Sequence, residues 1–138
     1  MDAQNLQENL YDFETSKLLK ELGFDEECRD YYSADEDDCG TMPNLEGVNW
    51  NQNVNFISAP TWWQVKQWLW EKHKINIEIT FAKSSSKMRD YRKFVWFIYV
   101  DGFWKNEFSD KQEFDSPVTA EIEGIKQAVE YKFKELKK

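Results

Sequence analysis

The sequence predicts a single α+β domain over residues 1–138, in which a small antiparallel sheet of about three to four strands is packed by two main helices and a short N-terminal helix. Three observations predict this fold. The length of 138 residues fits one domain. Residues 75–81 (INIEITF) alternate apolar and polar side chains without a break, which is typical of a half-buried strand. Residues 118–136 carry apolar side chains every three or four positions, as one face of a helix requires.

The first half of the chain carries weaker signals. A short helix is predicted over residues 13–22, because leucines share one side of it and Gly23 can end it. A short strand is predicted over residues 28–33. The first ten residues are polar and are expected to be frayed, and residues 34–55 are expected to form a long acidic and polar loop.

The second half carries stronger signals. A helix is predicted to begin near Pro60 and to end at about Lys74. Residues 91–100 are apolar on both alternations, which indicates a central strand, and the Asp-Gly pair at 101–102 predicts a tight hairpin turn. The last helix is predicted to begin at Pro117 after a serine cap.

Charge is distributed unevenly along the chain. The formal net charge is -8, and residues 1–46 hold 14 acidic residues against 3 basic ones. This balance opposes direct nucleic-acid binding and favours a basic protein partner. Four consecutive acidic residues are the candidate contacts for such a partner: Asp35, Glu36, Asp37 and Asp38. A solvated loop and an acidic nucleic-acid mimic are the alternatives.

The helix after Pro60 carries two aromatic stripes. Four residues share one face and suffice to bury the helix: Trp62, Val65, Trp68 and Leu69. Trp63 and Trp70, seven residues apart, form a second stripe. If this stripe is exposed, it is a candidate partner-binding surface, because tryptophan is enriched at interface hot spots. The alternative is that both tryptophans are buried.

The acidic loop also resembles a calcium-binding EF-hand loop. Counting Asp35 as position 1 places Asp37 at position 3, Gly40 at the sharp turn and Glu46 at the bidentate position 12. The pattern fails at position 5, where Cys39 replaces an oxygen ligand. A calcium-responsive binding module through Asp35, Asp37 and Glu46 is therefore an alternative to a plain acidic loop.

Catalytic signatures are missing from the sequence. The chain has one histidine and two cysteines, Cys28 and Cys39, whose spacing does not suit a zinc site. No nucleophile, base and orienting group can be assembled from the sequence. We therefore expect a protein without enzymatic activity and without a cofactor, with a carboxylate-based enzyme as the alternative.

The sequence predicts a cytoplasmic protein. No apolar run reaches the length of about 18–20 residues that a membrane span needs. The N-terminal segment MDAQNLQENL carries acids where a secretory signal has a basic and then an apolar region. We therefore expect no contact with a membrane.

Three segments in a fixed order carry a resemblance to known proteins. They are FETSKLLKELGFDEECRDYY, SAPTWWQVKQWLWEKHKINIEI and SPVTAEIEGIKQAVEY, with a Tyr/Trp-rich hairpin before the third. In this order the chain resembles small uncharacterised proteins, of unknown function, from Bacteroides-type gut bacteria and their phages and prophages. The resemblance implies a cytoplasmic accessory protein of mobile-element type, and it brings no activity, cofactor or site residue. The long acidic loop departs from the shorter segment of that group.

For the acidic loop we expect no effect of calcium on the melting temperature, because one ligand position holds a thiol. Thermal unfolding with calcium or with a chelator measures this directly. A calcium-dependent rise in the melting temperature that disappears in Glu46→Gln would instead establish the calcium module.

Overall fold

A computed structural model describes residues 9–34, 42–83, 89–104 and 112–137. Their fold is α+β with antiparallel strands, as the sequence predicts, and the strands form two small sheets where one sheet was expected. The chain divides into two compact units, Met1–Trp68 with Val129–Lys138, and Leu69–Ala128. The elements in chain order are α1 (Phe13–Glu21), β1 (Cys28–Ser33), β2 (Met42–Val48), a 3-10 helix (Trp50–Gln52), β3 (Phe56–Ala59), α2 (Trp62–His73), β4 (Ile75–Lys83), β5 (Arg89–Val100), β6 (Phe103–Trp104) and α3 (Pro117–Lys137).

Both ends of helix α1 are capped, and the C-terminal cap at Gly23 is the one that the sequence predicts. The Asp12 side chain accepts a hydrogen bond of 2.9 Å from the backbone N–H of Thr15. At the other end Gly23 has a φ of 91°, and the N–H of Phe24 donates to the carbonyl of Leu19 at 2.9 Å. This is the bonding pattern of a Schellman cap, and it explains why the helix stops before the glycine.

The first sheet has the order β2-β1-β3, with antiparallel pairing throughout. The prediction of one long loop over residues 34–55 is wrong for part of that range, because β2 and the 3-10 helix lie within it. Residues 35–41 lie outside the described residues. Strand β2 contains Pro43 and Gly47, two residue types with low propensity for β-strands. Its extended conformation depends on pairing with β1, a long-range contact that composition does not reveal.

The polar segment that follows β2 is held by hydrogen bonds from its side chains to distant backbone groups. The Trp50 indole N–H donates to the carbonyl of Cys28 at 2.9 Å. The Asn51 side chain donates to the carbonyl of Phe24 at 3.0 Å and accepts from the N–H of Ser58 at 2.9 Å. These bonds satisfy backbone groups that the sheet leaves unpaired, so a polar sequence adopts a fixed path.

Helix α2 begins with the later of its two available caps. Ser58 and Thr61 both precede the helix and have hydroxyl groups that can cap it, and the structure uses Thr61. Its N–H donates to the Gln64 side chain at 3.0 Å, while its hydroxyl accepts from the N–H of Gln64 at 3.4 Å. This reciprocal pair is a capping box. Ser58 is unavailable for capping because it lies in strand β3, paired with Tyr31.

The second sheet has the order β4-β5-β6, so β5 is the central strand, as predicted. Strands β4 and β5 extend beyond the predicted bounds, with one irregularity between Phe81 and Ala82. The turn at Asp101 and Gly102 has positive φ values of 52° and 84°, which is the requirement of a type I′ hairpin. Ile75 and Ile77 are buried on one face of the sheet.

Helix α3 approaches that buried face through a glycine. A Cβ atom built on Gly124 would lie 2.9 Å from Cγ2 of Ile77 and 3.0 Å from Cβ of Trp96. The helix backbone therefore lies directly on the sheet at this point. The ends of the predicted apolar stripe do not reach the core, because Val118 and Leu136 are exposed whereas Ile125 is fully buried.

We predict that Gly124→Ala destabilises the protein by about 1–3 kcal/mol, the usual cost of overpacking a core, even though alanine favours a helix by roughly 0.5–1 kcal/mol. Urea unfolding measures the change. Gly47→Ala is the matched control, since its Cβ would lie 3.6 Å from the nearest atom. Equal effects of the two substitutions would contradict close packing at Gly124.

Candidate functional site

The described residues of the unit Leu69–Ala128 form an open cleft of about 450 Å³. It lies where helix α2 ends and where β5 turns into β6. Its lining includes Trp70, Lys74, Asn76, Glu78, Tyr99 and Asp101. The cleft thus combines two aromatic rings, one amide, two carboxylates and one ammonium group.

Strand alternation places the polar lining residues on one face of the sheet. Asn76 and Glu78 are exposed, whereas their neighbours Ile75 and Ile77 are buried on the opposite face. Asn76 pairs with Tyr99 across the β4-β5 ladder. Directly opposed residues project to the same side of a sheet, so Tyr99 joins the two polar residues in the cleft.

Two residues in left-handed backbone conformation lie at the rim of the cleft. Lys74 has a φ of 54° and Asp101 a φ of 52°, and both are unusual for residues other than glycine. The N–H of Asp101 donates to the carbonyl of Lys74 at 3.0 Å, and the N–H of Lys74 donates to the carbonyl of Trp70 at 3.2 Å. This chain of hydrogen bonds joins the end of α2 to the hairpin turn. It fixes the positions of three lining residues.

Trp70 is a tryptophan with a largely exposed side chain. It is 53% exposed, and the Lys74 ammonium lies 5.1 Å from the centre of its ring. That distance is within the range of a cation–π contact. Trp63 is 39% exposed and packs edge to face against Trp62, with 5.5 Å between ring centres. The alternative that both tryptophans are buried is therefore wrong.

The carboxylates of the cleft are exposed and have no cationic partner within the described residues. Neither Glu78 nor Asp101 forms an ion pair there. The ammonium group of Lys74, which also lines the cleft, lies over the indole. Two negative charges are therefore available to a ligand.

No family model, curated protein or solved structure matches this chain. Within the parts of the chain that the structure describes, no helix has both the length and the apolar character of a membrane span.

The acidic candidates from the sequence are not brought into this cleft by any described contact. Asp35, Glu36, Asp37 and Asp38 lie outside the described residues. Glu46 lies in strand β2, not at the start of a helix. The described residues contain no group of three or more His, Cys, Asp or Glu side chains that would hold a metal ion. Calcium binding by the acidic loop stays an alternative hypothesis, which the calcium titration above tests.

Cys28 is buried in strand β1 and is a poor nucleophile. Burial raises the pKa of its thiol to about 12, and the negative charges of Asp30 and Glu26 act in the same direction. The nearby Ser58 side chain lowers the pKa by a smaller amount. The thiol is therefore protonated at neutral pH, and it cannot supply the thiolate that nucleophilic chemistry needs.

Asp30 is one of the 14 acidic residues among positions 1–46, and it is a buried carboxylate in strand β1. It is 2% exposed, its Oδ2 lies 4.0 Å from Nε of Arg29, and its Oδ1 has no hydrogen-bond partner within the described residues. Burial raises its pKa, and the charge of Arg29 opposes this shift in part. The signal was present in the sequence: Cys28, Asp30 and Tyr32 alternate on the buried side of β1.

We predict that Asp30→Asn gains stability relative to the wild type as the pH rises from 4 to 7. The native pKa of Asp30 lies above its ordinary value of 3.8, so folding favours the protonated acid. The stability that protonation supplies is complete below pH 3.8 and is lost as the pH rises through the native pKa. Urea unfolding at several pH values measures the difference.

The exposed Asp25→Asn controls for the loss of one negative charge. An advantage of Asp30→Asn that is largest at low pH would contradict the burial argument.

Proposed function

We propose that this protein is a non-enzymatic cytoplasmic accessory factor, of phage or prophage type, that acts by binding another protein through the Trp70 cleft. The observation that carries the proposal is the exposure of Trp70 within a cleft that also presents polar groups. The accessory role and the origin come from the resemblance described above.

An exposed indole in a cleft fits a protein interface. Tryptophan is enriched among residues that dominate binding free energy, and such residues lie in pockets ringed by polar groups. Phe103, next to the lining residue Gly102, is 74% exposed and adds a second large apolar side chain at the hairpin turn. Covering apolar surface of this kind with a partner removes it from water and makes the binding free energy more favourable.

Exposure of the carboxylates favours binding over acid–base catalysis. A general acid of the carboxylate type usually has its pKa raised by burial in an apolar site. Glu78 and Asp101 share the cleft, but both are exposed to solvent. This supports a binding role for the carboxylates rather than the carboxylate-based enzyme that the sequence left open.

Photo-cross-linking tests the proposal. A photoreactive phenylalanine analogue is placed at Tyr99 or Phe103, within and beside the cleft, and at Thr119, an exposed position on helix α3. We expect positions 99 and 103 to cross-link the same host protein in a Bacteroides-type cell, and position 119 not to cross-link it. Mass spectrometry identifies the product.

The matched controls combine the Phe103 probe with a second substitution. Trp70→Ala is expected to abolish the cross-link, whereas Leu136→Ala, which also removes an exposed apolar side chain, leaves it unchanged. A cross-link that survives Trp70→Ala, or that forms equally at position 119, would contradict a role for the cleft.

A further inference from the structure

We infer that the Trp70 cleft accepts an arginine side chain from its protein partner, with the guanidinium over the indole and facing Glu78 and Asp101. The inference rests on the proposed function and names the chemistry of the partner. It is carried by two features of the cleft: an indole face that holds the Lys74 ammonium, and two carboxylates that form no ion pair within the described residues.

The indole face is oriented to hold a cation. The Lys74 ammonium lies 5.1 Å from the centre of the Trp70 ring, and both residues line the cleft, so this face already holds a positive charge. The face of an indole attracts cations because its quadrupole is negative there. The same face is therefore suited to a cation from a partner.

The carboxylates complete the recognition of a cation. Glu78 and Asp101 line the same cleft and form no ion pair within the described residues. With the charge of Lys74 included, the described lining residues carry an excess of one negative charge. A basic partner is attracted to such a surface and an acidic one is repelled.

The available groups favour arginine over lysine. A guanidinium is planar, stacks on aromatic rings and presents five donors in a fork that matches carboxylates. It is also more weakly hydrated than an ammonium, so moving it onto an indole costs less desolvation. The amide of Asn76 adds an oxygen acceptor on the same face of the sheet.

Lys74 acts as an internal competitor in this arrangement. Its ammonium occupies the indole face in the free protein, and the incoming guanidinium must displace it. Removing the ammonium while keeping the indole is therefore expected to strengthen binding. Removing either carboxylate is expected to weaken it. These opposite effects distinguish cation recognition from simple apolar burial. If the partner only buried apolar surface against the indole, removing the ammonium and removing a carboxylate would not change binding in opposite directions.

Nuclear magnetic resonance with defined peptides tests the inference. The probe is the acetylated, amidated peptide GRGRG, and the control is the same peptide with citrulline, a neutral isostere, at both arginine positions. The indole N–H signal of Trp70 in the ¹⁵N-labelled full chain is assigned from its absence in Trp70→Phe. We expect the arginine peptide to shift this signal with a measurable dissociation constant, and the citrulline peptide to bind at least about 3-fold more weakly, as a surface cation–π contact implies.

Three single variants sharpen the test. Glu78→Gln and Asp101→Asn are each expected to weaken arginine-peptide binding by about 1.5- to 5-fold, the range of an exposed ion pair. Asparagine tolerates the positive φ of position 101, so the turn is kept. Lys74→Ala is expected to tighten binding by about 2- to 5-fold, since it removes an exposed cation–π contact that competes.

The inference is overturned if the citrulline peptide binds as tightly as the arginine peptide. It is also overturned if neither peptide shifts the Trp70 signal, or if Lys74→Ala weakens binding of the arginine peptide. A cross-linked partner that contacts the cleft through a segment without arginine would also overturn it, while the proposed function would stand. Failure of every cross-link at positions 99 and 103 would overturn the proposed function instead.

Discussion

Antiparallel pairing of β4 with β5 is the interaction on which the candidate site depends. The ladder runs from Ile75 opposite Val100 to Lys83 opposite Arg89. Because side chains alternate along each strand, this register sends Ile77 to the face that α3 covers at Gly124. The same register sends Glu78 to the opposite face, where the cleft lies. A slip of one residue would exchange the two faces, which burial of the isoleucines opposes.

The other unit uses a different source of order. Strand β1 is central in its sheet and buries Cys28, Asp30 and Tyr32 along one face. The hydroxyl of the buried Tyr32 donates to the carbonyl of Tyr11 at 2.6 Å, so this aromatic side chain is also held by a hydrogen bond. Side-chain hydrogen bonds, together with apolar burial, fix this part of the chain. For this reason hydrophobic periodicity gives little information there.

Prediction from the sequence succeeded where local signals agreed. The alternation at 75–81, the Asp-Gly turn and the serine-proline start of α3 each specify one local conformation, and the structure has all three. Prediction failed for β2, because a strand containing proline and glycine is stabilised by a partner distant in sequence. The count of charges along the chain gave no indication that Asp30 is buried, because it carries no information on which side of a strand each charge lies.

For the candidate site, the sequence by itself determined which residues lie away from the buried faces of their elements. Helical periodicity placed Trp63 and Trp70 away from the face that buries α2, and strand alternation put Asn76 and Glu78 on the polar side of β4. Only the tertiary structure decided that Trp70 is exposed and that Lys74 and Asp101 meet at one rim. The reason is that exposure and proximity depend on long-range packing and on two left-handed backbone positions joined by a hydrogen bond, none of which a local sequence pattern encodes.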